Sequence, residues 1–281
     1  MIFLPAAALA THAADPAWRV VDCRHDLADP AAGARAFAAG HVPGALFAHL
    51  DADLSGAIGP ATGRHPLPDA TAFEARARAW GISAGTTVVA YDASGGAFAA
   101  RLWWLLRYFG HARAHVLDGG LPAWVAAGGA LETGAAATPP PGDFVARPGA
   151  LPVARAEELL AAGPPLLLDA RDPARFRGEV EPIDARAGHI PGARNAPFRA
   201  LLAPDGRLLP RDALRAQLDT ALAGRAPADA VAYCGSGVTA SLLVAALEEA
   251  GLPGARLYPG SWSEWIRDPQ RPVATGDGPR V

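Results

Sequence analysis

The chain has 281 residues, a formal net charge of −3, and hydrophobic residues at 51% of positions. This length and composition suffice for the cores of two domains of ordinary size. Without a basic run or an apolar stretch of membrane-spanning length, we expect neither nucleic acid nor a membrane as a partner. Two distant cysteines, Cys23 and Cys234, predict no disulfide framework, and without a recognisable export signal the sequence predicts a cytoplasmic location.

Segments with helical spacing alternate along the chain with short apolar runs that predict strands. Residues 1–10 predict a helix and not a signal peptide, because no basic segment precedes them, and a strand follows at 19–21. Farther on, 166–169 and 231–233 are apolar runs, whereas 212–222 has leucines four residues apart. This alternation predicts an α/β fold in which helices flank a parallel sheet.

The chain contains an internal repeat. Four motifs recur in the same order after roughly half the chain: Asp22–Arg24 as Asp169–Arg171, His41–Ala45 as His189–Ala193, Val89–Asp92 as Val231–Cys234, and Gly119–Trp124 as Gly260–Trp265. So long a period predicts two copies of one domain and not a solenoid. Because a proline-rich stretch lies between the copies, we predict a first domain at 1–133, a linker at 134–149 and a second domain at 150–281.

Cys234 is the main candidate for a reactive residue. It ends a predicted strand, and a helix with one apolar face is predicted at 240–250. Backbone N–H groups can converge in the loop between them, which consists of Gly235, Ser236, Gly237, Val238 and Thr239. Such a loop at a helix N-terminus lowers a thiol pKa and stabilises an anion on the sulfur. The alternative is a buried cysteine that acts only as a small hydrophobic residue.

The two copies differ at this position. Asp92 stands in the first copy where Cys234 stands in the second, and an aspartate cannot act as a sulfur nucleophile. The loop after Asp92 has another sequence, and we do not expect it to gather N–H groups around an anion. Cys23 has Ala170 as its counterpart and is expected to be inert. The sequence therefore predicts one active centre, in the second copy.

Together these motifs resemble the tandem-domain rhodanese family of thiosulfate and 3-mercaptopyruvate sulfurtransferases. The resemblance covers nearly the whole chain and implies two rhodanese-like domains, of which the first lacks the catalytic cysteine. It implies that Cys234 takes the outer sulfur of a small-molecule donor and becomes a persulfide. A thiol, cyanide or a thioredoxin-like reductant then accepts the sulfur. No cofactor is implied, and the sequence has neither metal-ligand spacing nor a nucleotide-binding fingerprint.

The resemblance also bears on the donor. Family members that use thiosulfate carry Cys-Arg-Lys-Gly in the loop, whereas the loop here has no charge, as in the mercaptopyruvate type. Arg175 aligns with the family's substrate arginine, whose planar fork suits a carboxylate. The alternative for Arg175 is a surface ion pair with Asp172 or Glu179. Arg186 lies in the segment of the second substrate arginine, but closer to His189 than in the animal enzymes.

In the mercaptopyruvate type, the loop serine works with a histidine and an aspartate to move a proton to the pyruvate enolate. The matching residues here are Ser236, His65 and Asp51. Without the resemblance, His65 would be read as a solvated loop residue. The repeated His41 and His189 occur also in the copy without a cysteine, which argues for a structural role in a turn.

Three other functions compete with sulfur transfer from 3-mercaptopyruvate. A cysteine phosphatase of the dual-specificity kind needs an arginine where this chain has Ala240, which excludes it. A sulfurtransferase that prefers thiosulfate stays open as an alternative. So does a non-enzymatic sulfur-carrier module that delivers persulfide sulfur to a protein partner.

Overall fold

The computed structural model describes residues 1–12, 15–135, 138–159 and 165–278, and within them the chain forms two compact units. The first unit comprises Met1–Gly56, Leu67–Ala150 and Ala203–Leu208. The second comprises Ala57–Pro66, Leu151–Leu202 and Leu209–Val281. The short segment Ala57–Pro66 thus belongs with the later part of the chain. The predicted domain boundaries stay a prediction, and residues 136–137 of the predicted linker, with 160–164 and 279–281 of the predicted second domain, lie outside the described residues.

The first unit is built on a parallel sheet of five strands in the order β1-β5-β4-β2-β3. Its strands are β1 (Phe3–Leu4), β2 (Trp18–Asp22), β3 (Leu46–Phe47), β4 (Thr87–Tyr91) and β5 (Ala114–Leu117). Its helices are α1 (Ala6–Ala10), α2 (Ala32–Ala39), α3 (Leu50–Asp53), α4 (Ala70–Ala79), α5 (Ala99–Tyr108) and α6 (Gly120–Ala126). The central strand β4 is buried along its whole length, as expected for a parallel strand covered on both faces.

The second unit has a parallel sheet of four strands in the order β7-β6-β8-β9. Its strands are β6 (Leu166–Asp169), β7 (Arg194–Asn195), β8 (Ala230–Tyr233) and β9 (Arg256–Leu257). Its α-helices are α7 (Ala156–Leu159), α8 (Pro173–Arg177), α9 (Arg211–Leu222), α10 (Thr239–Glu249) and α11 (Ser261–Trp265). Two short 3₁₀ helices lie at Phe198–Leu201 and Pro227–Asp229. Beyond β9, Val153 forms a parallel bridge with Leu257, where the first unit has its strand β1.

The predicted α/β class and parallel sheets are confirmed, and two details differ. The strand β1 was not predicted, because two residues are too few for a periodic signal. The helix predicted at 240–250 is observed as α10, and every residue of it from Ala240 to Leu247 is buried, not only the predicted apolar face. A helix that is apolar on all sides belongs in the core, and α10 packs there behind β8.

Each unit contains an equivalent network of hydrogen bonds between buried polar side chains. In the first unit Arg24 and the Tyr91 hydroxyl both donate to Asp22, which is fully buried. In the second, Arg171 donates to Asp169 and to the carbonyl of Gly188. These bonds supply the partners that a buried charge requires.

The repeated histidines also have matching environments. His41 Nδ1 lies 2.7 Å from the carbonyl of Phe37, and its ring stacks on the Phe37 ring at 3.8 Å. His189 Nδ1 lies 2.8 Å from the carbonyl of Phe176 and stacks on its ring at the same distance. Both histidines therefore fix turns, in agreement with the interpretation of the repeat. Of the helices that the structure describes, none has the length and apolarity needed to cross a membrane.

Candidate active site

Cys234 follows directly after β8 and is 2% exposed. The chain turns over five residues and enters α10 at Thr239, so the thiol lies beside a helix N-terminus, as predicted. The N–H of Gly237 donates to Cys234 Sγ over 3.2 Å. Within the described part of the chain, the N–H groups of residues 235, 236, 238 and 239 donate to no protein acceptor. The loop therefore keeps donors available for an anion near the sulfur.

The backbone around Cys234 is held by the start of α11. The N–H of Cys234 donates to Ser261 Oγ over 3.1 Å, and the N–H of Trp262 donates to the Cys234 carbonyl over 3.0 Å. Ser261 has φ +53°, a left-handed conformation that costs an L-residue about 1 kcal/mol or more. The equivalent residue of the first unit is Gly120, with φ +57°. Because Ser261 keeps its strained conformation and supplies the hydroxyl, we assign it a positioning role that the sequence analysis missed.

The loop of the first unit corrects one expectation. Asp92 is fully buried, and its carboxylate accepts four backbone N–H bonds of 2.7–2.9 Å, from Ser94, Gly96, Phe98 and Ala99. The expectation that this loop does not gather N–H groups around an anion was therefore wrong. Its two glycines, Gly95 and Gly96, have positive φ and allow the close turn without the sequence pattern of the second unit.

His65 and Ser236 lie together in the second unit. His65 Nδ1 is 2.7 Å from Ser236 Oγ, and both side chains are buried. Ser263 connects this region to the cysteine loop: its N–H donates to the Gly235 carbonyl, and its Oγ accepts from the N–H of Arg64. The alternative of a solvated His65 is therefore wrong for this structure.

Arg175 lies at the mouth of the loop in a cluster with Arg64, Glu181 and Asp184, and Arg171 also contacts this cluster through Glu181. Arg175 donates to Glu181 at 2.7 Å and to Asp184 at 3.1 Å, and Asp184 is also bonded by Arg64. The predicted alternative partners were wrong, because Glu179 pairs with Arg177 and Asp172 with Arg199. Arg64 was missed: nothing in its local sequence indicates that residues 57–66 fold with the second unit.

The pKa values of the two carboxylates in this cluster shift in opposite directions. Burial raises the pKa of Asp184, and the neighbouring Glu181 adds to this, although Arg64 and Arg175 oppose it. Burial also acts to raise the pKa of Glu181, but bonds from Arg175 and from the Asp184 and Ile183 N–H groups outweigh it, so that pKa is lowered. Asp184 is thus the carboxylate that is less well compensated.

The remaining predicted residues lie elsewhere. The Arg186 carbonyl accepts from Trp262 Nε1, and among the described residues its guanidinium has no ion-pair partner. Asp51 belongs to the first unit, in the first turn of α3, and its part in a relay with His65 stays a prediction. Val238 and Thr239 are the cap and first residue of α10.

Two other groups of the first unit bear on the site predictions. Burial, with the charges of Asp22 and Asp92, raises the pKa of the Cys23 thiol, which favours the unreactive protonated form. Asp51 also lies near His25 and His49, so that ligand-type atoms of the three residues come within 4.8 Å. Both ring nitrogens of His49 are already in hydrogen bonds, with the Asp51 and Ala52 N–H groups and the Pro30 carbonyl, which disfavours a metal there.

The family model of the rhodanese-like domain matches the chain twice, over residues 5–127 and 153–268. The chain belongs to the rhodanese family. The second match contains the Cys234 loop, and the first contains the Asp92 loop. Sulfur transfer is accordingly the reaction of this chain.

Relatives that match over nearly the whole of both chains are named for one or the other of two sulfur donors, 3-mercaptopyruvate and thiosulfate. A Pseudomonas aeruginosa protein with the provisional name 3-mercaptopyruvate sulfurtransferase is 51% identical over 98% of each chain. A Mycobacterium tuberculosis protein, SseB, with the provisional name thiosulfate sulfurtransferase, is 45% identical over 98% of this chain and 97% of its own.

Solved structures have the same fold. The 3-mercaptopyruvate sulfurtransferase from Leishmania major superposes with a TM-score of 0.85 at 34% identity, over 94% of this chain and 74% of that one. SseA from Escherichia coli is described as a 3-mercaptopyruvate sulfurtransferase with the rhodanese fold. It superposes with a TM-score of 0.79 at 34% identity, over 94% of this chain and 99% of that one.

Gly237→Ala tests the loop geometry. Gly237 has φ +78°, and a Cβ on it would lie 2.5 Å from the Pro259 carbonyl oxygen, so the substitution should displace the N–H that bonds Cys234 Sγ. We expect the rate of sulfur transfer to fall at least about tenfold while the protein stays folded by circular dichroism. Gly224→Ala is the matched control, because Gly224 has φ +76° and open space around it. Full activity of Gly237→Ala would contradict this role of the loop.

Proposed function

We propose that Cys234 takes sulfur from 3-mercaptopyruvate, carries it as a persulfide and passes it to a thiol, cyanide or a thioredoxin-like acceptor. The observation that supports this most directly is the position of the thiol, in a loop with available N–H donors and beside the Ser236–His65 pair. Asp51 is proposed as the third member of the relay, and Arg175 and Arg186 as donor-binding residues.

The first half of the proposed reaction makes an S–S bond and breaks a C–S bond. The Cys234 thiolate attacks the donor sulfur, and the electrons of the C–S bond pass to the methylene carbon, which leaves as the pyruvate enolate. A proton is then needed on that carbon. Ser236, at 2.7 Å from His65 Nδ1, is the group through which His65 can supply it. Both side chains are buried, so bulk water does not compete for this proton transfer.

The second half releases the sulfur. The acceptor attacks the outer sulfur atom, the S–S bond breaks, and the electron pair returns to Cys234 as a thiolate. With cyanide the product is thiocyanate, and with a thiol it is a new persulfide. Between the two halves the outer sulfur gives up the donor's thiol proton to solvent, and the persulfide then carries a negative charge that the loop N–H groups and the start of α10 can stabilise.

The charges at the loop mouth favour a monoanionic donor. Arg64 and Arg175 are already balanced there by Glu181 and Asp184. A dianion such as thiosulfate would add two negative charges to this neutral cluster, whereas mercaptopyruvate adds one through its carboxylate. A serine–histidine pair also serves an enolate, which needs a proton on carbon, better than it serves sulfite as a leaving group. We therefore propose 3-mercaptopyruvate as the preferred donor, with thiosulfate preference as the alternative.

A non-enzymatic sulfur carrier is the second alternative. It would use Cys234 in the same way but deliver its sulfur only to a protein partner. The buried Ser236–His65 pair argues against it, because a carrier that is loaded by another protein has no enolate to protonate. Turnover with a small donor and cyanide distinguishes the two.

Cys234→Ser tests the sulfur-carrying residue. After exposure to 3-mercaptopyruvate, the wild type should gain the mass of one sulfur atom and the variant none, because a hydroxyl forms no persulfide. Intact-mass spectrometry measures this, and peptide mapping locates the sulfur. Cys23→Ala is the control, and it should load normally, since Cys23 is buried with a raised pKa. Sulfur found on Cys23 of the wild type would refute the assignment.

Steady-state kinetics tests the donor. With cyanide as the acceptor and thiocyanate as the product measured, kcat/KM should be higher for 3-mercaptopyruvate than for thiosulfate. A higher value for thiosulfate would establish the first alternative. No turnover with either donor, together with persulfide formation from a protein partner, would establish the carrier.

Ser236→Ala tests the proton relay. It should lower kcat for 3-mercaptopyruvate by about 100-fold, within the usual range for general acid catalysis, and leave kcat for thiosulfate within about threefold. The reason is that sulfite leaves without protonation on carbon. His65→Gln should show the same selectivity, with the fold of both variants checked by thermal unfolding. Equal losses for both donors would show that the pair only maintains the loop.

A further inference from the structure

Apolar side chains are exposed beside the mouth of the cysteine loop. Among the residues that the structure describes in the second unit, the exposed large hydrophobic ones are Ile58 (64%), Val180 (52%) and Ile183 (41%). They lie in two segments, 57–66 and 180–184, which also carry Arg64 and Asp184 of the charged cluster. Apolar exposure in this unit is thus concentrated next to the active site, which indicates an interaction surface.

The loop 180–184 is folded with its carboxylates inward and its apolar side chains outward. The side chains of Glu181 and Asp184 are only 4% and 5% exposed, which is the reverse of the usual preference of such residues for water. The Glu181 carboxylate accepts from Arg175 and from the N–H groups of Ile183 and Asp184, at 3.1 and 3.0 Å. These bonds fix the backbone on which the exposed apolar side chains stand.

The segment with Ile58 is also fixed, and a cation lies beside it. The N–H of Gly59 donates to Thr62 Oγ1 over 2.9 Å, and Arg267 Nε donates to the Thr62 carbonyl over 3.3 Å. Arg267 is exposed and, like Arg186, has no ion-pair partner in the part of the chain that the structure describes. A partner with acidic groups would supply the missing negative charge.

The small reactants give these apolar side chains no role. 3-Mercaptopyruvate and cyanide have almost no apolar surface to bury against a valine or an isoleucine, whereas a folded protein has such a surface. Because Cys234 is 2% exposed, a protein can reach it only with a thiol on a projecting part of its own surface. The features of this rim therefore fit a protein acceptor of sulfur.

We propose that Ile58, Val180 and Ile183, with Arg267 beside them, form the docking surface for a protein that accepts sulfur from Cys234. The partner is a small folded protein with a projecting thiol, apolar residues around that thiol and acidic groups at the edge. Its thiol loses a proton to solvent, and the resulting thiolate attacks the outer sulfur of the persulfide. The S–S bond then breaks, and its electron pair returns to Cys234. This inference rests on the proposed function for the persulfide and adds the surface that selects a protein acceptor.

Discharge of the preloaded persulfide tests this surface. Each protein is loaded with 3-mercaptopyruvate, freed of donor and mixed with cyanide or with reduced thioredoxin, a small dithiol protein that serves as the probe. Intact-mass spectrometry of quenched samples follows the loss of one sulfur atom and gives the two second-order rate constants. The double variant Val180→Thr/Ile183→Thr should lower the constant for thioredoxin roughly tenfold and leave that for cyanide within about twofold, because threonine keeps the branched shape but removes apolar surface.

Val145→Thr is the matched control. Val145 belongs to the first unit and is 52% exposed, as Val180 is, so this variant should leave both rate constants unchanged. Equal losses with thioredoxin and cyanide in the double variant would show that the loop 180–184 acts only on the reaction at Cys234. That result would overturn the proposal, as would unchanged rate constants, or no discharge by thioredoxin where cyanide discharges the protein normally.

Arg267→Gln tests the charge at the edge of the surface. It should lower the rate constant for thioredoxin at low salt and weaken its dependence on ionic strength, because one attractive charge is removed. Arg211→Gln is the control, since Arg211 is also an exposed arginine of the second unit. An equal change in the two variants would show that only net charge matters, and the placement of Arg267 in the surface would fall.

Binding without sulfur transfer separates this proposal from the proposed function. Isotope-labelled reduced thioredoxin is titrated with the Cys234→Ser protein and followed by NMR. Adding Val180→Thr/Ile183→Thr should raise Kd roughly tenfold, whereas adding Val145→Thr should not. If Cys234 never acquires sulfur but Kd shifts in this way, the docking surface stands and the sulfur-transfer assignment falls.

Two further outcomes would overturn the docking surface alone. If Cys234 loads normally and the double variant changes neither Kd nor the discharge by thioredoxin, the function stands and the surface falls. If sedimentation instead shows that the wild type forms a dimer which the double variant loses, with discharge by thioredoxin unchanged, the surface is covered by a second copy of this chain.

Discussion

The chain turn that follows the buried strand β4 or β8 of each unit places one side chain where backbone N–H donors converge. In the first unit that group is the Asp92 carboxylate, which has four such donors and no exposure to solvent. In the second unit the same place is taken by the Cys234 thiol, with one N–H directed at its sulfur. Removing an ion from water costs several kcal/mol unless hydrogen bonds replace its hydration. With the Asp92 carboxylate the N–H donors are always occupied, and the turn has only a structural role. With a thiol in its place, the same kind of turn can stabilise a charge that the sulfur gains and loses.

Much of the second unit serves to hold this turn still. Ser261, Trp262 and Ser263 bond the backbone of residues 234 and 235, while Ser263 also bonds the segment of Arg64 and His65. The strained φ of Ser261 is tolerated because its hydroxyl takes the Cys234 N–H and donates to the Tyr258 carbonyl. A loop fixed from several sides loses little entropy when an anion binds, which is the condition for strong electrostatic stabilisation.

The sequence was sufficient to predict the parallel sheets and the location of Cys234, because both depend on local patterns such as Ala230–Tyr233, a short apolar run before a glycine-rich loop. It was insufficient where a residue's environment comes from a distant segment. Arg64 has no local signal, since its place depends on backbone bonds to Ser263, far along the chain. The Asp92 loop reaches an equivalent arrangement of N–H groups through other residues, so motif comparison alone missed it. Asp51 and His65 were joined by resemblance only, and that link stays a prediction.

The balanced charges at the loop mouth have a consequence for selectivity. Cations without partners would attract any anion, and a dianion most strongly. Here Arg64 and Arg175 already bond Glu181 and Asp184, so an incoming anion gains only the difference between its own contacts and those that it replaces. Burial raises the pKa of Asp184, because its contacts with Arg64 and Arg175 do not fully offset the desolvation of its carboxylate. A monocarboxylate adds one negative charge to this balanced set, whereas a dianion adds two and would have to leave more charge uncompensated in a largely buried site.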